Sequence, residues 1–289
     1  MSRGKLQTVK RRISSTISTM HITRAMEMVA RAKVQKTEKI WANYRRFSQK
    51  YLNVFYKIIS WGEISNPILK VDEQPLKKTA ILLISSDMGL CGSYSSEVIR
   101  MAEIEAHKLG ERFKGYFVVG LKASNYFKYQ GIKMLRFWEK LYDIPNYDIS
   151  QLIVDEILDH FDKGEIDSLK IVYTKKVSTL AQVPKIVDFI PISVEKGEVT
   201  SEKEYEFEPE PQELFKRFIP EFLSARLLDY LMEAKVSELY ARQNSMKNAT
   251  ENAEDIIENL TLQYNKLRQA SITQEIIEIV NGSEALKEG

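Results

Sequence analysis

Two long stretches at opposite ends of the chain contain neither glycine nor proline. They are residues 5–61 and residues 221–281. Since Gly and Pro are the strongest helix breakers, such stretches favour unusually long helices. At 1.5 Å per residue, each helix would be about 80–90 Å long, which exceeds the diameter of a domain of this size. A helix of that length has to bury its apolar side against a partner.

Apolar residues recur every three or four positions in both stretches, which places one apolar stripe along each helix. In the first stretch these positions are Leu6, Val9, Ile13, Ile17 and Met20. In the second they are Leu239, Met246, Ala249, Ala253, Ile256, Leu260, Tyr264, Leu267 and Ser271. The pattern predicts an antiparallel coiled coil of the two terminal helices. Its small and polar members fit either a weak seam or a shaft whose surface meets other proteins, and the sequence leaves both open.

The middle of the chain has a different pattern, in which short apolar runs alternate with amphipathic segments. The predicted strands are 79–85, 115–120, 134–138, 169–174 and 183–190, and the predicted helices are 95–109, 124–129 and 149–161. This alternation is typical of βαβ units and predicts a Rossmann-like, mostly parallel α/β domain. The expected organisation is an N-terminal coiled-coil helix (1–60), a globular α/β domain (61–210) and a C-terminal coiled-coil helix (211–289).

The loop SSDMGLCGSYSS (85–96) follows the first predicted strand and holds the only cysteine. A P-loop needs a lysine after its glycines, and this loop has none. The dinucleotide fingerprint needs three spaced glycines, and here there are two. Catalysis by Cys91 would need a base, and no histidine is close to it in sequence. We therefore expect a tight turn, with glycines at positive φ and Ser95 or Ser96 capping the next helix.

Charge is distributed unevenly along the chain. Residues 1–60 carry 14 Lys and Arg against two acids, Glu27 and Glu38, whereas residues 221–289 carry seven basic and twelve acidic residues. A basic arm of this kind favours an acidic partner, which can be nucleic acid, anionic lipid or an acidic protein surface. No stretch approaches the roughly 18–20 apolar residues that a transmembrane helix needs. Two other classes stay open on these residues alone, namely an enzyme built on the middle domain and a nucleic-acid-binding coiled-coil protein.

Three stretches together resemble one family. They are HITRAMEMVARAKVQK (21–36), SSDMGLCGS (85–93) and NATENAEDIIENLTLQYNKLRQASITQEIIEIVNG (248–282). In these motifs, in length and in the order of its parts, the chain is similar to the gamma subunit of the F-type ATP synthase. The resemblance implies a central rotor shaft that couples ion flow through the membrane c ring to ATP synthesis or hydrolysis by the alpha and beta subunits.

The same resemblance implies what the chain does not do and where it works. The expected partners are the alpha, beta and epsilon subunits and the c ring, with no nucleic acid. The chain itself would be non-catalytic, without cofactor or metal, and without a transmembrane segment. It would be a peripheral membrane protein on the cytoplasmic face of a bacterial inner or cell membrane. With one cysteine, it lacks the cysteine pair of the plastid members.

Individual residues take roles from this resemblance. Those expected to contact beta are Met26, Arg242, Arg268, Gln269 and Thr273. A basic bearing surface facing an acidic loop of beta would comprise Arg11, Arg12, Arg24, Arg31 and Lys33. Tyr205 and Glu208 match the base that faces the c ring and epsilon. The segment YARQNSM around Arg242 departs from the family pattern, which puts that contact in doubt.

Overall fold

Two long helices dominate the secondary structure of the computed structural model, which describes residues 2–61, 64, 66–69, 78–140, 144–192 and 208–285. Helix α1 spans Ser2–Trp61 and helix α5 spans Pro211–Ala285, which confirms the predicted terminal helices. Among the described helices, none combines the length and the apolar character needed to cross a membrane.

The chain forms two compact units. The helical unit consists of residues 1–29 and 243–289, and the sheet unit consists of residues 30–242. The expected domain boundaries at 60/61 and 210/211 lie close to the end of α1 at Trp61 and the start of α5 at Pro211. The compact units instead divide within these two helices, so parts of both helices pack with the sheet.

Within the described residues, the sheet unit contains one five-stranded sheet. Its strands are β1 (Thr79–Ile84), β2 (Phe113–Val119), β3 (Met134–Trp138), β4 (Ser168–Lys176) and β5 (Gln182–Ile190). They lie in the order β3-β2-β1-β4-β5. The first four are mutually parallel, whereas β5 runs antiparallel to β4. The predicted mostly parallel α/β sheet is therefore confirmed.

Both faces of the sheet are covered. Helices α2 (Tyr94–Leu109), α3 (Leu121–Tyr129) and α4 (Tyr147–Asp162) connect the strands. On the central strand β1, Ile81 and Leu83 join a core with residues of α2 and α3, while Leu82 and Ile84 join a core with α1, α4 and α5. Because alternate residues of a strand point to opposite faces, β1 is apolar throughout, as expected for a buried parallel strand.

In the sheet unit, α1 and α5 pack antiparallel. Contacting residues are Trp41 with Asp229, Tyr44 with Ala225, Tyr51 with Phe218 and Phe55 with Phe215. From Trp41 to Phe55 the residue number rises by 14 along α1, and from Asp229 to Phe215 it falls by 14 along α5. This is the register of two antiparallel helices with the same rise per residue. Phe55 is fully buried and stacks on Phe222 at 3.6 Å between ring centroids.

In the helical unit the predicted stripe of α1 is confirmed, because its five members are half-buried while most of their neighbours are exposed. On α5 the buried residues of this unit are Met246, Thr250, Ala253 and Ser271, each below one-tenth exposure, and all but Met246 are small or polar. The hydroxyls of Thr23 and Thr250 lie 2.8 Å apart. The expectation for Ile256 was wrong: its side chain is exposed, and the next residue turns inward instead.

Candidate partner-binding surfaces

The loop 85–96 is a strand-to-helix turn, as its sequence indicates. Gly92 has φ of 60°, a conformation that glycine adopts without strain. The second positive φ falls on Leu90, at 62°, and not on Gly89. Helix α2 begins at Tyr94 with Ser93 in the N-cap position. The expectation that Ser95 or Ser96 caps this helix was therefore wrong, because both residues lie inside its first turn.

Side chains of this loop are engaged in holding the turn together. The Ser95 hydroxyl lies 2.7 Å from that of Ser86. The carboxylate of Asp87 accepts hydrogen bonds from the backbone N–H groups of Leu121 at 2.8 Å and Lys140 at 3.2 Å. These bonds tie the end of β1 to the segments that follow β2 and β3. The loop's hydroxyl and carboxylate groups thus stabilise the carboxyl edge of the sheet.

The same loop is fixed to α5 by Arg242. Its Nη2 donates to the main-chain oxygens of Met88 at 3.2 Å and Gly89 at 3.4 Å, and its Nη1 lies 2.7 Å from Glu238 Oε1. Lys235 Nζ lies 3.2 Å from the other Glu238 oxygen. The Glu238 side chain is only 3% exposed, so one buried carboxylate faces two cations.

Cys91 is buried, and its sulfur lies 3.7 Å from the Met88 carbonyl oxygen. Among the described residues, no group of three or more His, Cys, Asp or Glu side chains is arranged to hold a metal ion. The contacts of Ser86, Asp87, Cys91 and Ser95 are those of a packed turn.

The residues of the expected bearing surface lie on the exposed side of α1. In the helical unit these are Arg11, Arg12 and Arg24, and in the sheet unit they are Arg31 and Lys33. Arg24 pairs with Glu254 across the helical unit while its side chain stays half exposed. Met26 is half-buried. The described surface of α1 thus presents cations that can meet an acidic partner.

Near the end of α5, three of the expected contact residues share exposed positions. Arg268, Gln269 and Thr273 all face solvent, and the Thr273 hydroxyl donates to the Gln269 carbonyl oxygen at 3.0 Å. Arg242 differs from them, because it is 8% exposed and its guanidinium is bonded within the sheet unit.

An exposed apolar surface at the end of α5 was missed in the sequence. It comprises Ile272, Ile276, Ile277, Ile279 and Val280, each between 45% and 71% exposed. The signal was present, since apolar residues continue at helical spacing beyond Ser271. Exposed contiguous apolar residues of this kind are typical of surfaces that bind another protein.

Other predicted or unpredicted surfaces lie around the sheet. Glu208 is exposed just before α5, whereas Tyr205 lies outside the described residues.

A shallow cleft of about 440 Å³ runs along α4 and is lined mostly by acids, including Asp148, Asp155 and Asp159. Sequence reasoning identified α4 as amphipathic without singling out this acidic side.

Comparisons with known proteins agree with these features. The family described as "ATP synthase" matches residues 5–286. The ATP synthase gamma chain of Mycoplasmopsis pulmonis is 37% identical over 280 residues, covering 96% of this chain and 98% of that protein. The "ATP synthase gamma chain, sodium ion specific" of Acetobacterium woodii is 35% identical over 97% of this chain and 98% of that protein.

Solved structures share the fold at lower identity. The rotor of the Euglena gracilis mitochondrial ATP synthase matches with a TM-score of 0.65 and 16% identity, over 93% of this chain and 99% of that chain. The central stalk and c ring of the Tetrahymena thermophila mitochondrial ATP synthase contain a chain that matches with a TM-score of 0.61 and 21% identity. The match covers 79% of this chain and 99% of that chain. Family match, identity and coverage agree, and the chain belongs to the ATP synthase gamma-chain family.

Proposed function

We infer that the chain is the central-stalk, rotor subunit of an F-type ATP synthase. The observation that carries this is the near full-length similarity to ATP synthase gamma chains, together with a fold in which two long antiparallel helices flank a Rossmann-like sheet. In this role the chain makes and breaks no covalent bonds. Catalysis belongs to the alpha and beta subunits, and the chain couples their reaction to ion translocation through the c ring.

The mechanism rests on differential binding of conformers. A shaft whose surface differs from side to side makes different contacts with each surrounding beta subunit at any angle. Such contacts shift each beta subunit between open and closed states only by as much as their interaction energies differ. As the shaft turns, each catalytic site passes through the states in sequence, so rotation is converted into changes of nucleotide affinity.

The exposed cations of α1 suit a bearing surface against an acidic loop of beta. Arg11, Arg12, Arg24, Arg31 and Lys33 all have exposed side chains. Charges held in solvent interact over several ångströms but are screened, so they favour association without fixing one angle tightly. Charge complementarity of this kind contributes mainly to orientation and rate of association.

The exposed end of α5 suits direct contact with the catalytic subunits. Arg268, Gln269 and Thr273 are exposed, and exposed apolar residues follow on the same helix. Half-buried Met26 on α1 remains a proposed contact. For Arg242 we propose a positioning role instead, because its guanidinium binds Glu238 and the loop carbonyls.

The base of the rotor is proposed to meet epsilon and the c ring through the segment that contains Tyr205 and Glu208. This would make the chain a peripheral component on the cytoplasmic face of a bacterial membrane. The lack of a membrane-crossing helix among the described residues is compatible with such an attachment.

Co-purification tests the assignment. An affinity-tagged chain co-expressed with alpha, beta and epsilon subunits is expected to retain all three through gel filtration in a single peak. Retention of none of them would contradict the proposal. Tight stoichiometric ATP binding by the chain alone would instead favour an enzyme, and salt-dependent DNA or RNA binding would favour a nucleic-acid-binding protein.

A further inference from the structure

Three side chains from three separate elements meet at the carboxyl end of β4. Lys176 is the last residue of β4, Glu38 lies on α1 and Tyr240 lies on α5. Lys176 Nζ pairs with Glu38 Oε1, and the Tyr240 hydroxyl donates to that same oxygen at 3.1 Å. Lys176 Nζ also lies 4.8 Å from the centroid of the Tyr240 ring. Each side chain therefore contacts the other two.

This group is better shielded than an ordinary surface ion pair. The side chains of Lys176 and Glu38 are 25% and 31% exposed. Burial disfavours the charged ammonium, yet the hydrogen bond and charge of Glu38 dominate and raise the pKa of Lys176. Lys176 thus stays cationic, and partial exclusion of water strengthens its attraction to Glu38 and to the Tyr240 ring.

The position of Glu38 is notable in a helix with so few acids. Residues 1–60 carry 14 cations, and Glu27 is the only other acid among them. A lysine from the sheet would be repelled along most of this helix, so Glu38 marks where it can bind. The sequence alone gave no reason for an acid at this position.

The connection reaches far into the sheet. Strand β4 is hydrogen-bonded to β1 on one side and to β5 on the other. A force applied at Lys176 is therefore shared by three strands, while Glu38 and Tyr240 pass it to α1 and α5. Lateral displacement of the two helices against the sheet would have to break this triad.

We propose that Glu38, Lys176 and Tyr240 form a positioning strut that fixes the carboxyl end of β4 to both long helices and stiffens the joint through which torque passes. This proposal rests on the rotor function inferred above. It assigns to this chain a mechanical contact made by three specific side chains.

The test uses the full chain assembled with alpha and beta subunits. Lys176→Met keeps the apolar stem and removes the charge, and Glu38→Gln keeps the shape and removes the opposite charge. The exchange variant carries Glu38→Lys and Lys176→Glu together, which restores the pair in reverse. The matched control is Lys185→Met, which removes an exposed lysine of the neighbouring strand β5.

The readout is the angular spread of a probe attached to the sheet unit, measured in single complexes arrested with a non-hydrolysable ATP analogue. We expect a wider spread in both single charge-removing variants and no widening in the control. The exchange variant should recover part of the wild-type width, because it restores the ion pair but not the hydrogen bond from Tyr240 to a carboxylate. A stabilising contact without a mechanical role would lower the melting temperature of the complex but leave this spread unchanged.

Two contrary results can be told apart. Equal spread in all complexes, or equal broadening by Lys185→Met, would overturn the strut and leave the rotor assignment standing. If the unmodified chain forms no complex with alpha and beta, the rotor assignment fails, and the mechanical role of the triad fails with it.

Discussion

Arg242 on α5 and Met88 in the loop after β1 are joined by a hydrogen bond of 3.2 Å from guanidinium to main-chain oxygen. They are 154 residues apart in sequence. The bond fixes the carboxyl edge of the sheet to the long C-terminal helix. The glycine-containing loop after β1 resembles an active-site loop in sequence, but its main-chain oxygens at Met88 and Gly89 bind a buried arginine.

The first prediction concerns the carboxylate that holds this arginine. Replacing Glu238 with Gln leaves Arg242 and Lys235 almost buried without their shared counter-charge. Since removing one partner of a buried ion pair is strongly destabilising, we expect the free energy of unfolding to fall by about 3 kcal/mol. Denaturant unfolding of the full chain measures this.

Its control is the exposed pair of Arg217 and Glu213, whose side chains are 69% and 55% exposed. Glu213→Gln should change the unfolding free energy by less than about 0.5 kcal/mol. Equal effects of the two substitutions would contradict the role given to Glu238.

The second prediction compares two glycines with positive φ. At Gly120, where φ is 104°, an added Cβ would lie 2.5 Å from the backbone oxygen of Ser85. At Gly164, where φ is 66°, nothing lies within 4 Å. Gly164→Ala should cost roughly 1–2 kcal/mol from backbone conformation alone. Gly120→Ala should cost clearly more, because the backbone at Ser85, just after β1, would have to move.

Thermal unfolding of the two variants decides between these cases. Similar melting temperatures for Gly120→Ala and Gly164→Ala would show that the close approach between β1 and the start of α3 is not needed for stability.

The regular elements could be predicted largely from the sequence. The long helices follow from the lack of breakers and from helical spacing, and every predicted strand is present with ends shifted by a few residues at most. Pro220 illustrates the limit: it lies inside α5, although proline removes a backbone donor. Buried Ile219, Phe222 and Leu223 on either side hold the helix to the core and offset that loss.

Long-range side-chain contacts could not be predicted. Arg242 matches an arginine of the family that contacts beta, but in this structure its guanidinium binds the loop after β1. That loop is distant in sequence and is brought close to Arg242 only by folding. Lys176 and Glu38 are similarly distant in the chain. For contacts with other subunits, the spacing of apolar residues predicts only which face of a helix is exposed. The identity of the partner comes from the resemblance to the gamma subunit.

The third prediction is a pH dependence at Glu233 on α5. Burial, with the nearby Asp229 charge, raises the pKa of this carboxyl, while a hydrogen bond with Tyr173 acts in the opposite direction. The folded protein therefore holds the proton more tightly than the unfolded chain does. Stability from this group is present below the ordinary carboxyl pKa and is lost as pH rises through the raised value.

Glu233→Gln keeps an acceptor for Tyr173 and removes the titration. The variant should gain stability relative to the unmodified chain as pH rises from 4 to 8, as measured by urea unfolding across that pH range. An unchanged difference between the two proteins across the series would contradict a raised pKa for Glu233.

The fourth prediction concerns the proposed contacts with beta. Replacing Arg268 and Gln269 together by Ala removes two exposed polar side chains from α5. We expect the chain's melting temperature to stay within about 2 °C, since surface substitutions rarely change stability by more than about 0.5 kcal/mol. Assembly with alpha and beta, or ATP turnover of the complex, should fall.

Gln263 and Lys266 provide the matched control, because they are exposed on the same helix five and two residues before Arg268. Their double replacement by Ala should leave both assembly and turnover near the wild-type level. Undiminished turnover in the Arg268 and Gln269 variant would show that these residues do not make the proposed contacts.

Rotation is the most direct test of the central claim. The chain is assembled with alpha and beta subunits, and the alpha–beta ring is fixed to a surface. A probe is attached to the cysteine introduced by Lys163→Cys at an exposed position of the sheet unit. With ATP supplied, we predict that the probe rotates stepwise in one direction. Rotation should stop when ATP is replaced by a non-hydrolysable analogue. A complex that hydrolyses ATP while the probe stays at one angle would contradict the account.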